Sequence, residues 1–404
     1  PCIGMTGMWE LDPAVAFLNH GSFGACPRPV LEHQTALRVQ MERQPVRFLA
    51  NELEGLLDAA RLTLASFVGA PAEGLAFVPN ATAGVNAIVG SLDLHPGDEI
   101  VVTDHGYNAC KNIVDHAAAR SGAVVRTIPL PFSGATPDAV LETVLAGVGP
   151  KTRLVIIDHV TSATALVLPV QRIATELETR AVPVLVDGAH GPGMLPVDIT
   201  AIGASYYVGN CHKWMFAPKG SGFIYATAAT RDHLIPSVIS HGLNSLRTDR
   251  SRFHLLFDWT GTDDPTPYLS VPRAIEVMGA LLPGGWEQLR RHNHDLVIEG
   301  RRIVATALGI DDLPGNEMIG SMAAFALVAG QPVGVNDFDP LSVALRETHR
   351  IEVPISPFQV PGTRHQASAG ARKDETVPLR LLRISAQVYN RTEEYERLAS
   401  ALVA

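Results

Sequence analysis

The sequence predicts an α/β fold, with a large domain built on an open, mainly parallel sheet and a smaller α+β domain after it. Three observations carry that expectation. Short apolar runs alternate with helical patterns through the first 230 or so of the 404 residues. Several of those runs are apolar on both faces, as strands covered on both sides by helices must be. After about Ser270 the texture changes to a long charged helical region followed by more widely separated strand-like runs.

In chain order, Leu75–Pro79 is strand-like and Thr82–Leu92 helical. Glu99–Thr103 is strand-like, and Ala109–Ser121 is helical. The runs Leu154–Asp158, Val182–Asp187, Ala204–Val208 and Gly222–Ala226 read as further strands, with a helix over Val170–Arg180. A helical region spans Val271 to roughly Leu308, and Met322–Val328 and Leu379–Ser385 read as strands of the second domain. Pro354–Pro378, rich in Pro, Gly, Ala and Ser, reads as a loop, and Thr392–Val403 as a capped terminal helix. The expected division is an N-terminal segment over 1–25 beside the small domain, a large domain over 26–270 and a small domain over 271–404.

Composition narrows the function classes. Lys and Arg number 32 and Asp and Glu 41, a net charge of 32 − 41 = −9 with both signs scattered. That argues against nucleic acid and anionic membrane, which attract basic surfaces. The four cysteines, Cys2, Cys26, Cys110 and Cys211, form no CxxC pair and are too few for a disulfide scaffold. With no basic-then-apolar leader in Pro1–Glu10, a reducing cytoplasm is the expected location. No apolar run reaches the roughly 18 residues of a spanning helix, and no zinc or calcium spacing is present.

In open α/β sheets ligands sit beyond the carboxyl ends of the strands. Asn80-Ala81-Thr82-Ala83-Gly84 joins a strand to a helix, and free N–H groups at a helix start favour phosphate. By itself Thr82 also reads as a plain N-cap. Asp187 closes a buried strand, where a carboxylate needs a partner, either a neighbouring loop or a protonated pyridine nitrogen. Lys213 closes the next strand. A phosphate turn, a strand-end Asp and a strand-end Lys, in that order, follow the plan of a pyridoxal-phosphate site, whose cofactor needs a lysine amine.

The chain resembles fold-type I pyridoxal-phosphate enzymes of the class V aminotransferase group. The stretches that carry the resemblance are Leu18–Val30, Asn80–Asn86, Asp104–Ala109, Val186–Gly193 and Gly209–Trp214. The opening NHGSFG and the GNCHKW are most similar to the isopenicillin-N-epimerase-like branch, which also includes carbon–sulfur lyases. The resemblance implies a seven-stranded type of sheet, with Lys213 linked covalently to the cofactor and later moving protons. It implies Asp187 on the ring nitrogen. Ala81 backbone, Thr82 and His212 fall at the phosphate, as does Asn210, which replaces a common Ser. Tyr107 falls at the ring-stacking position and His190 near the ring oxygen, and Ser162 stands where some relatives have Asn. Arg383 matches the fork onto the substrate carboxylate, which a planar guanidinium suits better than Lys does. Thr262 matches a residue that reaches the neighbouring subunit's phosphate, which implies a homodimer.

Other candidates keep two readings. Asn19, His20 and Ser22 precede the large domain as substrate contacts or as plain structure. Arg47 is either near a dimeric active site or in a surface ion pair. His105 reads as a structural loop histidine rather than a base, and Cys211 as a packed residue.

The function implied is Cα-proton abstraction from an amino acid, as in an epimerase or racemase. C–S β-lysis on a cysteine conjugate or sulfoxide, transamination and a non-enzymatic sensor or scaffold are the alternatives. No cysteine follows Cys211, which argues against a persulfide-forming desulfurase, and Lys213, Asp187 and Arg383 together argue against a mere scaffold.

Overall fold

The computed structural model describes residues 7–327, 338–360 and 377–404. The chain opens with β1 (Ala16–Phe17), α1 (His20–Phe23), α2 (Arg28–Arg43), a π-helical turn over Arg47–Glu52 and α3 (Leu53–Val68). There follow β2 (Leu75–Val78), α4 (Ala81–Gly90), β3 (Glu99–Thr103), α5 (Asn108–Ser121), β4 (Val124–Ile128) and α6 (Pro137–Gly147). Next come β5 (Thr152–Asp158), α7 (Val170–Glu178), β6 (Val184–Gly188), α8 (Ile199–Ile202), β7 (Tyr206–Asn210) and β8 (Gly222–Ala226). Helices α9 (Arg252–Phe257), α10 (Thr266–Leu269), α11 (Val271–Gly279) and α12 (Gly285–Leu308) lead to β9 (Met322–Leu327). The chain closes with α13 (Pro340–His349), β10 (Ile351–Glu352), β11 (Ile355–Val360), β12 (Val377–Ser385) and α14 (Thr392–Val403).

Seven strands form one sheet in the order β2-β8-β7-β6-β5-β3-β4. From β7 to β4 every pairing is parallel, while β8 is antiparallel to both its neighbours. Helices cover both faces: Val101, Val155, Ile157 and Val186 point into one apolar core, Ile100, Val102, Ile156 and Leu185 into the other. This is the fold-type I architecture expected. The parallel strands end together, and their carboxyl ends carry Asp158, Asp187 and Asn210.

A second, antiparallel sheet, β11-β12-β9, packs with α12 and α14 around Val297, Phe325, Leu382, Ile384 and Tyr395. The N-terminal segment joins this body. β1 pairs in parallel with β10, and Leu18 O accepts both the backbone N–H of Ser385 and its hydroxyl, each at 2.8 Å.

Three expectations need correction. The helical region after Ser270 is two helices, broken at Ala280–Gly284, and α11 buries Val271 and Ala274 in the large core against α2 and α3. Helix α11 thus packs with the large core and α12 with the second sheet. The Pro354–Pro378 stretch is no simple loop, since β11 occupies Ile355–Val360 and β12 starts at Val377; its centre, 361–376, lies outside the described residues, as do Cys2 and Val328. Strand β4 and helices α2, α3, α6 and α13 had no counterpart in the sequence reading.

Candidate active site

Lys213 follows β7 and projects into the protein, with its Nζ 3.1 Å from His190 Nε2. It has no ion pair among the described residues. Burial first, and then the Arg383 guanidinium, lower its pKa from 10.5 to about 8, so the uncharged amine is accessible near neutral pH. The turn carrying Lys213 is held from below by the N-terminal segment. His20 is fully buried, with Nε2 at 3.1 Å from Lys213 O and Nδ1 at 2.7 Å from the Tyr389 hydroxyl. Burial drives its pKa down to about 3. With both ring nitrogens engaged, His20 supports the lysine's backbone. Gly24 makes the close approach feasible: its φ is +69°, and a Cβ there would stand 2.3 Å from His212 O.

Asp187 ends β6 beside Asp158 at the end of β5, the two directly paired in register. Asp187 Oδ1 accepts the Ala189 N–H at 3.0 Å, and Oδ2 accepts the Cys110 thiol at 3.2 Å. No cation pairs with it among the described residues, so a protonated ring nitrogen would supply the partner it lacks. Burial, and then the Asp187 charge, push the Asp158 carboxyl well above the carboxylate range, so Asp158 holds a proton. Asp158 escaped the sequence reading, although LVIID ends in a carboxylate just as VPVLVD does.

At the start of α4 the N-cap is Asn80, whose Oδ1 accepts the Ala83 N–H at 2.9 Å; Thr82 is one turn position inside the helix. Ala81 N–H donates to Asn210 Oδ1 at 2.8 Å, so these two expected phosphate ligands bind one another. That bond leaves Asn210 Nδ2 as the outward donor. The Thr82 N–H and hydroxyl, and His212 Nε2, make no hydrogen bond among the described residues. His212 Nδ1 donates to Ser221 O at 2.8 Å, and burial lowers the ring's pKa to about 4. The Thr82 N–H and hydroxyl, with Asn210 Nδ2, form a cluster of unengaged donors at a helix start, which fits a phosphate, while neutral His212 keeps its one proton on Nδ1.

Arg383, on β12, is buried and lacks any ion pair among the described residues. Its Nη1 donates to Ser162 O at 2.5 Å, and its Nη2 to Ser22 Oγ at 3.0 Å and Asn19 Oδ1 at 3.3 Å. Burial lowers its pKa to about 10. It opens onto a cavity of about 680 Å³ lined by Ser22, Tyr107, Lys111, Ser162 and Phe358. Tyr107 is 47% exposed and follows β3 at the start of α5.

Two expected residues lie elsewhere in the chain. Arg47 is exposed within the chain, with Nε 2.6 Å from Glu52 Oε1. Thr262 is exposed and has no recorded contact with the Lys213 site within the chain. His105 is structural, with Nδ1 2.8 Å from Thr164 Oγ1 and Nε2 3.2 Å from Leu130 O. Cys211 is fully buried.

The class-V aminotransferase family model matches residues 27–253. The chain belongs to that family. It is 36% identical over 409 residues to isopenicillin N epimerase of Amycolatopsis lactamdurans, covering 97% of this chain and 96% of the relative. It is 32% identical over 418 residues to a probable chloroplastic L-cysteine desulfhydrase of Arabidopsis thaliana, covering 97% and 83%. Among solved structures, the cystine C–S lyase C-DES bound to its product cysteine persulfide matches with a TM-score of 0.76 at 24% identity, covering 96% of this chain and 97% of that one. Membership makes this an enzyme dependent on pyridoxal phosphate, and the unengaged donors, the unpaired Asp187 and the lowered Lys213 amine fit that group. No described helix is long and apolar enough to cross a membrane, and no metal-ligating cluster occurs among the described residues.

Proposed function

We propose that this enzyme abstracts the Cα proton of an amino-acid substrate and returns it, as an epimerase or racemase similar to the isopenicillin N epimerases. The observation that carries the reading is the pair Lys213 and Arg383. Arg383 is a buried cation and Lys213 a half-buried amine within its electrostatic reach, and neither has an ion pair among the described residues. Such an arrangement is costly unless a ligand completes it. An α-amino acid brings a carboxylate for the guanidinium and an amine to take the lysine's place.

Pyridoxal phosphate supplies the electron sink that makes the Cα proton acidic. Thr82, Asn210 and His212 would hold its phosphate, Asp187 its ring nitrogen and Tyr107 its face. Lys213 would anchor it and, as a free amine, would be the base that takes the Cα proton. Its lowered pKa suits that work, because a base is most effective when its pKa lies near the operating pH. Arg383, braced by Ser162, Ser22 and Asn19, receives the α-carboxylate and sets which bond at Cα faces the lysine.

The second reading is β-elimination from a cysteine derivative, favoured by the desulfhydrase relatives at 32% identity. It shares the same carbanion and the same residues. A persulfide route finds no exposed cysteine among the described residues, as Cys26, Cys110 and Cys211 are all buried.

In heavy water, with no keto acid added, deuterium enters at Cα of the recovered amino acid and its chirality scrambles. Release of pyruvate and ammonia from a cysteine substrate instead establishes the lyase reading. Conversion of the cofactor to its amine form, reversed only by a keto acid, identifies an aminotransferase and defeats both.

The homodimer belongs to the same proposal. Val238, Ile239, Leu243 and Leu246 are exposed, and Val238 lines one of two adjoining cavities that share Leu53, Leu57 and Trp259, the same cavity that Thr260, Gly261 and Asp263 line. A second copy there would bury that apolar surface and present Thr262 to a neighbour. Sedimentation should give twice the 43.2 kDa chain mass; an active monomer contradicts it. The buried free thiols accord with a reducing, cytoplasmic setting.

A further inference from the structure

Trp214 ends a chain of hydrogen bonds whose direction is set by chemistry. An indole N–H can only donate. Trp214 Nε1 lies 3.2 Å from His190 Nδ1, so Nδ1 is the acceptor. His190 is fully buried, and burial, with Lys213 and Arg383 nearby, holds its pKa well below the usual value. The ring is therefore neutral, and a neutral imidazole with an accepting Nδ1 carries its one proton on Nε2. Nε2 stands 3.1 Å from Lys213 Nζ. Facing an ammonium, that N–H would set donor against donor; facing a free amine, it meets a lone pair.

We propose that Trp214 is a positioning residue that fixes His190 as the Nε2–H tautomer and thereby holds Lys213 as the free amine, the form that condenses with an aldehyde. The inference rests on the reading of Lys213 as the cofactor-binding lysine. Other groups also face Lys213. Arg383 from β12 favours the amine and Asp187 from β6 the ammonium, while Asp158 from β5 and the Cys110 thiol from α5, both protonated, also face it. His20 contacts the lysine's carbonyl, and His212 precedes it in the chain. Among the described residues only His190 is within hydrogen-bond distance of Nζ, so among them it alone makes a contact whose sense depends on the lysine's proton. Trp214 is 1% exposed and also packs on His20 at 4.8 Å between ring centroids, so the test must separate its N–H from its bulk.

The experiment follows capture of pyridoxal phosphate by the full chain after cofactor removal, read as growth of the visible band at a series of pH values. Wild-type capture should accelerate with pH and level off near the lysine's pKa of about 8. Replacing Trp214 with its benzothiophene isostere keeps the shape and removes the donor. Nδ1 can then take the proton and Nε2 can accept from an ammonium. The midpoint should move up by about one pH unit, the size of one hydrogen bond to a charged group, leaving the high-pH plateau within about twofold. Trp214→Phe should move it the same way, and in a His190→Leu background either replacement should move it no further. A midpoint that stays in place in the isostere, or that still moves without His190, overturns the inference. Wild-type protein that fails to regain the band, or a Lys213→Ala variant that captures cofactor as fast, defeats the Lys213 reading and the inference with it.

Discussion

Two groups of buried charge in this molecule are built on opposite terms. Between α3 and α9, Arg61 and Arg250 are interleaved with Asp58 and Asp258. Arg250 donates to both oxygens of Asp58 at 2.9 Å and to Asp258 at 2.8 Å, and Arg61 donates to Asp258 at 2.5 Å and to Asp58. The bonds from Arg250 hold the Asp58 carboxyl below its usual range. Every charge there has its opposite. Around Lys213 the charges are left open among the described residues: Arg383 has only neutral acceptors, Lys213 touches a neutral histidine, and Asp187 has no cation, only the protonated Asp158 beside it. The first arrangement holds helices together. The second stores a cost that a substrate and cofactor relieve, which separates a structural ion cluster from a reaction site.

The largest effect on stability should come from breaking the paired group. Asp258→Ala leaves Arg61 and Arg250 short of a buried partner and should cost about 3–5 kcal/mol in denaturant unfolding, with turnover per folded molecule unchanged. A loss below about 1 kcal/mol would erase the contrast. In the open group, Arg383→Lys keeps the charge and loses the fork. It should raise KM roughly 10–100-fold for the amino acid, with far less effect on stability. An amine lacking the carboxylate should be a poor substrate of the wild type; equal turnover of the two would show that Arg383 does not read carboxylates.

The smallest effect sharpens the electrostatics. Arg383→Met removes the charge that, after burial, most depresses the Lys213 pKa, which should climb from about 8 toward the usual lysine value. In the cofactor-free wild type, folded Lys213 binds fewer protons than the unfolded chain between about 8 and 10.5, so stability rises with pH across that window. In the variant that rise should begin at higher pH and be smaller. An unaltered profile would mean that the two cations do not sense each other.

How far the site was legible depends on whether its residues act through position in the chain or in space. Asp187 and Lys213 stand at strand ends, where an apolar run stops at a polar residue, and the order of turn, Asp and Lys is a linear signal. Asp158 carries the same local signal, but its meaning appears only when β5 and β6 are neighbours with Asp158 opposite Asp187. Trp214 was visible as part of GNCHKW, yet its indole donor gains a role only because the turn at Gly188–Gly191 brings His190 to it. His20 could not be assigned, because its partners, Tyr389 and the Lys213 carbonyl, are far away in sequence. In the fold, the buried parallel strands were readable as continuous apolar runs. Edge strand β4 was not, because of its five residues only Ile128 is buried and Arg126 and Thr127 are exposed. The break between α11 and α12 was also missed, although Gly284 and Gly285 mark it.

The central claim is that the Lys213 amine, held in this open group, carries the cofactor. Borohydride reduction of the holoenzyme followed by peptide mapping tests it most directly. The account predicts a stable pyridoxyl label on Lys213 alone, absent in Lys213→Ala. A label on Lys111, which lines the Arg383 cavity, or on Lys151 or Lys219, would contradict it.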